Sequence, residues 1–335
     1  MKNDIYILAI ESSCDETSIA IVKNGCEVIA MSTNTQISVH ENYGGVVPEI
    51  ASRMHCESIT LVLEDMLRKT DMKIEDIDAI AVTYAPGLLG SLLVGIEFAK
   101  TLSYVYNKPL IKVNHLIGHI YANNLEKKLE FPLLALIVSG GHTELVKMTG
   151  DYKFELLGET LDDAIGEAYD KVARVLGLKY PGGPNVEKLA LSGESTYKMN
   201  KLLNDDSYNF SYSGLKSSVI NINHNETAKG NVINKANLAR SFQDAAIEEL
   251  YRKCELAIKN TGINRLLIAG GVSANSYLRS ELSKLVTKYN GELLYPRMLY
   301  CTDNAAMIGA AAYPLYLNKD FCDYSLNGKS NIDIC

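Results

Sequence analysis

The sequence predicts an α/β protein built from two related lobes. Three observations carry this reading. The chain has 335 residues, about twice the ~100–200 residues of a typical domain. It opens with short apolar strands that give way to alternating helices and strands. The same order then restarts at Leu133, and internal repetition of this kind points to two copies of one architecture. A composition of 47% hydrophobic and 22% charged residues is that of an ordinary globular chain, with nothing in it to suggest extended disorder.

The elements follow in order. Ile5–Ile10 and Thr17–Val22 read as strands joined by the polar turn Glu11-Ser-Ser-Cys-Asp-Glu16, with a third strand at Glu27–Thr33. Apolar residues at helical spacing (Ile50, Met54, Ile59, Leu63, Met66) predict a helix over Pro48–Arg68. A strand at Ala79–Thr83, a helix at Leu89–Tyr106 and a strand at Leu110–Val113 complete the first set. In the second set, Leu133–Val138 is a buried strand, Ser139-Gly-Gly-His142 a turn, and Thr143–Met148 and Lys153–Leu157 return strands. Helices are expected at Asp163–Leu176, Leu238–Lys259, Ala274–Val286 and Thr302–Leu317, with a strand at Arg265–Ala269.

The expected domains are therefore 1–112 with the C-terminal helix 297–320 as the first lobe, and 113–296 as the second. The weakly periodic segment 191–237 reads as an insertion with short helices, and 323–335, polar and rich in Asn and Ser, as a flexible tail. Ligands of α/β folds sit in crevices at the carboxyl ends of strands, so a cleft between the lobes is the expected binding place.

The net charge of −7 counts against a protein that coats nucleic acid non-specifically; an RNA ligand would need a local patch or a partner. The seven cysteines are odd in number and form no CxxC pair, which predicts free thiols in a reducing compartment. The apolar run Ile5–Ile10 ends at Glu11, so it is not a signal peptide, and no continuous apolar stretch is long enough to span a membrane. A cytoplasmic location is expected.

Four groups of residues carry chemistry. His115-Leu-Ile-Gly-His119 places two imidazoles on one helical face, where both can meet one metal ion. The spacing is that of the zinc proteases, but Leu116 replaces their catalytic Glu, so a protease would lack its general base. Cys301-Thr-Asp-Asn304 precedes the last helix; Thr302 is the expected cap and Asp303 a residue of the first turn. Paired with the histidines, Asp303 is a candidate third ligand, and two His with one carboxylate leave open coordination positions.

Three glycine-rich turns come next: Val138-Ser139-Gly140-Gly141-His142-Thr143, Tyr180-Pro-Gly-Gly183-Pro184 and Ala269-Gly-Gly-Val-Ser-Ala-Asn275. Bare glycines let backbone N–H groups approach a phosphate. No P-loop lysine motif or complete G-x-G-x-x-G is present, which excludes the common NTPase and dinucleotide readings. Finally, Asp163, Glu167 and Asp170 would share a helix face; something must offset their repulsion, and a carboxylate there could accept from a ribose hydroxyl.

Together, these segments resemble the tRNA N6-adenosine threonylcarbamoyltransferases (bacterial TsaD type), a family long labelled O-sialoglycoprotein endopeptidase. The likeness rests on His115-x-x-x-His119, Val138-Ser-Gly-Gly-His-Thr143, Gly158-Glu-Thr-Leu-Asp-Asp-Ala-x-Gly-Glu-Ala-x-Asp-Lys171, Tyr180-Pro-Gly-Gly-Pro184, Phe210-Ser-Tyr-Ser-Gly-Leu-Lys216, Gly270-Gly-Val-Ser-Ala-Asn275, Cys301-Thr-Asp-Asn-Ala305 and the opening Ile10-Glu-Ser-Ser-Cys-Asp-Glu-Thr17. It covers Ile5 to Leu317.

The resemblance implies an actin/Hsp70/sugar-kinase-like (ASKHA) fold of duplicated RNase H-like lobes. It implies an acyltransferase that moves the threonylcarbamoyl group from L-threonylcarbamoyl-AMP to N6 of adenosine 37, in tRNAs reading codons that begin with A. It implies one divalent metal per subunit, ferrous iron first and zinc second, held by His115, His119 and Asp303. The adenylate would lie on Val138, Ser139, Gly140, Gly141, His142, Asp170, Gly183 and Asn275. Relatives often carry Asp-x-Leu-Ala after the glycine turn; here Glu187-Lys-Leu-Ala190 stands there, one methylene longer, and Glu187 is carried over as a ribose contact. His142 and Glu11 are the candidates for general base. The implied partners are tRNA, an inactive same-fold paralogue (TsaB type) and a small P-loop ATPase (TsaE type), with Pro48–Arg68 as the docking helix by analogy.

Three other readings compete. An ATP-dependent sugar or acid kinase of the same fold would need a catalytic Asp beside a sugar pocket, and would leave the His pair unexplained. A metalloprotease lacks its Glu. A non-catalytic nucleotide-binding scaffold would tolerate loss of both histidines.

Overall fold

The computed structural model describes residues 4–200, 203 and 205–334. The chain divides into two compact units, Met1–Leu129 with Pro296–Cys335, and Glu130–Tyr295.

The first unit is built on a five-stranded sheet. β1 (Tyr6–Glu11), β2 (Glu16–Lys23) and β3 (Glu27–Thr35) form an antiparallel meander. After the short α1 (Ile37–His40) and α2 (Pro48–Arg68), β4 (Ala79–Ala85) adds to β1 in parallel; α3 (Leu89–Tyr106) then leads to β5 (Leu110–Asn114), parallel to β4. The sheet order is β3-β2-β1-β4-β5. Strand alternation divides the side chains between two faces: Leu8, Ile10, Ile19 and Ile21 cluster with Ile59, Val62 and Met66 of α2 and Leu92 and Ile96 of α3. The chain then enters α4 (His115–Tyr121) directly from β5.

The second unit repeats the plan. β6 (Leu133–Val138), β7 (Thr143–Gly150) and β8 (Lys153–Glu159) form the meander. They are followed by α5 (Ile165–Leu176), α6 (Gly182–Ala190), α7 (Ser213–Ala228) and α8 (Lys235–Thr261). β9 (Arg265–Ala269) joins β6 in parallel, and after α9 (Ser276–Lys288), β10 (Glu292–Leu294) joins β9 in parallel. The order β10-β9-β6-β7-β8 is the first sheet's order with each strand replaced by its counterpart. The core is made by Leu134, Leu136 and Val138 of β6 with Tyr169, Phe242, Leu250 and Leu282 from the helices. The chain closes in the first unit with α10 (Ala305–Leu317).

Several expectations change. The boundary expected between 112 and 113 falls inside β5, and the first unit runs on to Leu129 because α4 packs on α10. A Cβ at Gly118 of α4 would lie 2.7 Å from Cδ1 of Ile308 on α10, so glycine lets the two helices pack closely without moving that side chain. The last helix starts at Ala305: Asn304, not Thr302, is its cap, accepting from the Met307 N–H at 3.0 Å, and Asp303 stands before the helix. Asp163 likewise precedes α5.

The segment 191–237 carries the 16-residue α7, and Phe210, Tyr212, Leu215 and Val219 from it are fully buried. The tail expected to be flexible is docked. Leu326 and Ile334 are buried, the Lys329 N–H donates to the Tyr84 carbonyl at 3.0 Å, and the Gly87 N–H donates to the Ser330 carbonyl at 3.2 Å. Two apolar anchors, too sparse to show periodicity, hold it. Cys335 lies outside the described residues; among those described, six cysteines are all free thiols.

Candidate functional site

β5 ends at Asn114, whose Oδ1 accepts from Leu116 N–H (2.8 Å) and Ile117 N–H (3.3 Å) and so caps α4. The strand end therefore sets the first turn of α4, with His115 at its start and His119 one turn on. Their rings meet edge to face, centroids 4.6 Å apart. Asp303, held just ahead of the α10 cap, closes the group: its Oδ1 lies 3.1 Å from His119 Nε2 and 3.4 Å from His115 Nε2.

These three side chains could hold a metal ion, with one donor atom from each lying within 4.8 Å of the others. The donor chemistry fits. Ligand bonds of about 2.0–2.1 Å at tetrahedral angles put neighbouring donors about 3.3 Å apart, close to the two separations seen here. His119 is 1% exposed and Asp303 20%, so the group has a buried side and a side open to solvent, where a fourth ligand can enter.

Glu11 orients the site. Its Oε2 is 2.9 Å from His115 Nδ1 and accepts from the Thr83 hydroxyl at 2.7 Å, while its Oε1 accepts from the Ser13 N–H at 2.6 Å. Ser13 Oγ also lies 3.1 Å from His115 Nδ1. A carboxylate taking the Nδ1 proton leaves the Nε2 lone pair for a cation, the outer-shell arrangement of metal-binding histidines. His119 Nδ1, by contrast, is buried without a hydrogen-bond partner among the described residues.

The electrostatics agree. Burial works against charge on His115, but Asp303 and Glu11 outweigh it and raise its pKa well above the usual imidazole value. Burial likewise opposes ionisation of Asp303 and Glu11, and the His115 charge overrides it, lowering both carboxyls. Nearby Glu16 is pushed well up, by burial first and by Asp303 and Asp15 next. The site is thus an anionic pocket that a cation would neutralise.

In the second unit, the glycine turns and the other predicted residues are neighbours of one another. Ser139 N–H donates to the His142 carbonyl (2.9 Å), His142 N–H to Ser139 Oγ (3.0 Å), and Gly166 N–H to the Ser139 carbonyl (3.1 Å). Gly270 has φ +87°, and a Cβ there would sit 2.5 Å from the Val138 carbonyl oxygen; both facts demand glycine. Gly140, Gly141, Gly183 and Gly271 instead have open space where a Cβ would be.

Asp170 Oδ1 accepts from the Gly182 N–H at 2.7 Å, next to Gly183, and burial raises its pKa. Glu187 Oε1 accepts from both the N–H (2.7 Å) and the hydroxyl (2.6 Å) of Ser276 at the start of α9, where the helix dipole favours an anion. Asn275 caps that helix, its Oδ1 accepting from the Leu278 N–H at 2.8 Å. The predicted repulsion along Asp163, Glu167 and Asp170 is met by Lys171, 2.6 Å from Asp163 and 2.8 Å from Glu167.

The sequence reading missed Ser13, Thr83, Lys171, Ser276 and Gln243, which support the predicted residues. Ser13 and Lys171 lie in motifs already singled out; the others carry no local signal. The groups fall in separate units: His115, His119, Asp303 and Glu11 in the first, Val138 to His142, Asp170, Gly183, Glu187 and Asn275 in the second.

Comparison with known proteins bears on what these groups do. The family tRNA N6-adenosine threonylcarbamoyltransferase matches residues 27–310. Curated tRNA N6-adenosine threonylcarbamoyltransferases of Staphylococcus aureus strains Newman and USA300 are each 53% identical over 335 residues, which is 100% of this chain and 98% of the relative. Among solved structures, HypF of T. kodakarensis superposes with a TM-score of 0.65 at 14% identity, covering 96% of this chain and 49% of that one. Component A of (R)-2-hydroxyglutaryl-CoA dehydratase from Acidaminococcus fermentans gives 0.53 at 16%, covering 92% and 98%. These two show the fold alone, the duplicated α/β architecture of the ASKHA type expected from the sequence. Among the described residues no helix is long and apolar enough to cross a membrane. The match along most of the chain, together with the full-length identity, establishes that this protein belongs to the tRNA N6-adenosine threonylcarbamoyltransferase family.

Proposed function

We propose that this chain transfers the threonylcarbamoyl group of L-threonylcarbamoyl-AMP to N6 of adenosine 37 in tRNAs reading codons that begin with A, releasing AMP. The N6 nitrogen adds to the carbamoyl carbonyl carbon and forms the new C–N bond. The bond from that carbon to the AMP phosphate oxygen breaks, AMP leaves with the electron pair, and N6 gives up one proton. The observation that carries the reading is the convergence of His115 Nε2, His119 Nε2 and Asp303 Oδ1 in a chain of this family. The kinase alternative is not favoured, since full-length relatives at 53% identity are named as the transferase.

His115, His119 and Asp303 would hold the metal, ferrous iron ahead of zinc, because two His and one carboxylate with open positions are typical of non-haem iron. A bound divalent ion supplies Lewis-acid polarisation of a phosphate or carbonyl oxygen. Glu11 keeps the His115 ring in the ligating tautomer. With Oε1 and Oε2 already accepting from Ser13 and Thr83 and facing His115, it acts as a positioning group, which leaves His142 as the candidate proton acceptor. The amides of Gly140 and Gly141 and the turn at Gly183 are suited to the phosphate, given the open space beside those glycines. Asp170, Glu187 and Asn275 would hold the nucleoside.

An anticodon loop presents its bases unpaired, so N6 can be reached without opening a helix. The charge of −7 favours sharing the tRNA with partners: an inactive same-fold paralogue of TsaB type and a small P-loop ATPase of TsaE type, in the cytoplasm.

The test is reconstitution. The purified chain, these partners, synthetic threonylcarbamoyl-AMP and unmodified tRNA are combined, and the digested tRNA is examined for threonylcarbamoyl-adenosine by mass spectrometry. The product is expected, and is expected to vanish with the His115→Ala/His119→Ala variant. Product formation undiminished by that variant would remove the metal site from the mechanism.

A further inference from the structure

Gln243, in the third turn of α8, is 1% exposed and belongs to no motif that the sequence singles out. Its role is readable from the backbone outward. The Leu278 N–H can only donate, and it donates to one end of the Asn275 amide at 2.8 Å, which makes that end Oδ1. The other end, Nδ2, donates to Gln243 Oε1 at 3.2 Å. The Tyr169 hydroxyl of α5 reaches the same Oε1 from 3.5 Å. Burial, followed by the charge of Glu187, raises the Tyr169 pKa and keeps its phenol a donor. Gln243 Oε1 is therefore held between two donors, one from α5 and one from the cap of α9.

The two ends of an Asn side chain are nearly the same size and opposite in hydrogen-bonding sense. A free Asn beside a ligand can present either. Here the cap bond occupies Oδ1 and Gln243 occupies one Nδ2 hydrogen, so the second Nδ2 hydrogen is the donor left to offer. Asn275 is itself 6% exposed, so an orientation error would strand its amide away from water as well.

We propose that Gln243, backed by Tyr169, is a positioning residue that holds the Asn275 amide donor-outward for an acceptor nitrogen of the adenine ring of the adenylate. The inference rests on the reading of Asn275 as an adenylate contact. It adds a base-recognition role for a buried residue on a different helix.

The experiment measures binding of AMP and of ribose 5-phosphate by calorimetry to the full-length chain and its variants, with melting curves as a folding control. Gln243→Met conserves volume and removes the acceptor. Loss of one neutral hydrogen bond predicts AMP binding weaker by about 3- to 10-fold. Ribose 5-phosphate, which has no base, should bind as to the wild type. Asn275→Ala should weaken AMP similarly, and the double variant should be no worse than either single one, because the two residues act through one contact. Gln243→Glu, which keeps an acceptor oxygen in place, should stay near wild type and serves if Gln243→Met folds poorly.

Unchanged AMP affinity in Gln243→Met, equal weakening of ribose 5-phosphate, or failure of Gln243→Glu to hold affinity overturns the proposal while leaving Asn275 as a contact. Unchanged AMP affinity in Asn275→Ala overturns the reading of Asn275 itself, so the two failures are told apart.

Discussion

Glu11 and His115 stand 104 residues apart in the chain and are joined by a 2.9 Å contact between Oε2 and Nδ1. The carboxylate is fully buried at the end of β1, where the Ser13 N–H and the Thr83 hydroxyl fix its two oxygens. In Glu11→Gln, one oxygen becomes an NH2 group and cannot accept from its present donor. Metal affinity is expected to fall about 10- to 100-fold, the usual cost of losing an outer-shell partner of a ligating histidine. Titration against a competing chelator measures it, and unaltered affinity would remove Glu11 from the site.

The same pair sets a pH dependence. His115 has a pKa raised well above 6.5. The stabilisation from its protonated ring is complete below that ordinary value in the ion-free protein, and it is lost as pH rises through the elevated folded value. A divalent ion competes with the proton for Nε2, so the ion's contribution moves the opposite way. Melting curves from pH 6 upward should show the ion-free protein losing stability while the metal-induced increment grows. An increment that does not change with pH would contradict this assignment of Nε2.

Glu255 ties α8 to the end of α9: Oε1 is 2.7 Å from Lys288 Nζ and accepts from the Tyr289 hydroxyl at 2.9 Å. Lys288 first, against the opposing effect of burial, and then Tyr289 and Lys259 lower its pKa from 4.5 to about 2. The stabilisation is present above pH 4.5 and lost as pH falls toward 2. Both lysines are more than half exposed, so screening limits the effect to about 1 kcal/mol or less. Urea titrations of Glu255→Gln and wild type should differ at neutral pH and converge near pH 2; a gap that persists there would show that packing, not charge, is responsible.

The C-terminal segment is the fourth case. Leu326 is 9% exposed and packs into the first unit's core. Leu326→Ala should cost about 2 kcal/mol, at the low end for buried leucine truncations because the site lies at the edge. Equilibrium unfolding measures this directly, and a variant as stable as the wild type would show that the segment adds nothing to the fold.

Much of this molecule was legible from residue order. Pro48–Arg68, Leu89–Tyr106 and Leu133–Val138 are observed with the ends that periodicity and punctuation predict, and the restart at Leu133 announced the second sheet. The His115–His119 spacing predicted a shared helical face. These features depend on neighbours within one or two turns, and a local pattern carries them completely.

Features that depend on distant neighbours were not legible in this way. β10 is three residues long, too short for alternation to register, and exists because β9 lies open to pair with it. Asp303 meets His119 across 184 residues of sequence. Its candidacy as a ligand came from its residue type set beside the His pair and from resemblance to a family; the contact itself follows from α10 packing on α4 at the end of β5. Gln243 gave no signal at all, because a buried amide looks like any polar helix residue until its partner is known. The sequence by itself determined the strands, the helices, the repeated plan and the donor types. Only the tertiary structure decided which donors face one another, since hydrogen bonds and metal ligation act over about 3 Å between atoms that chain topology, rather than sequence proximity, brings together.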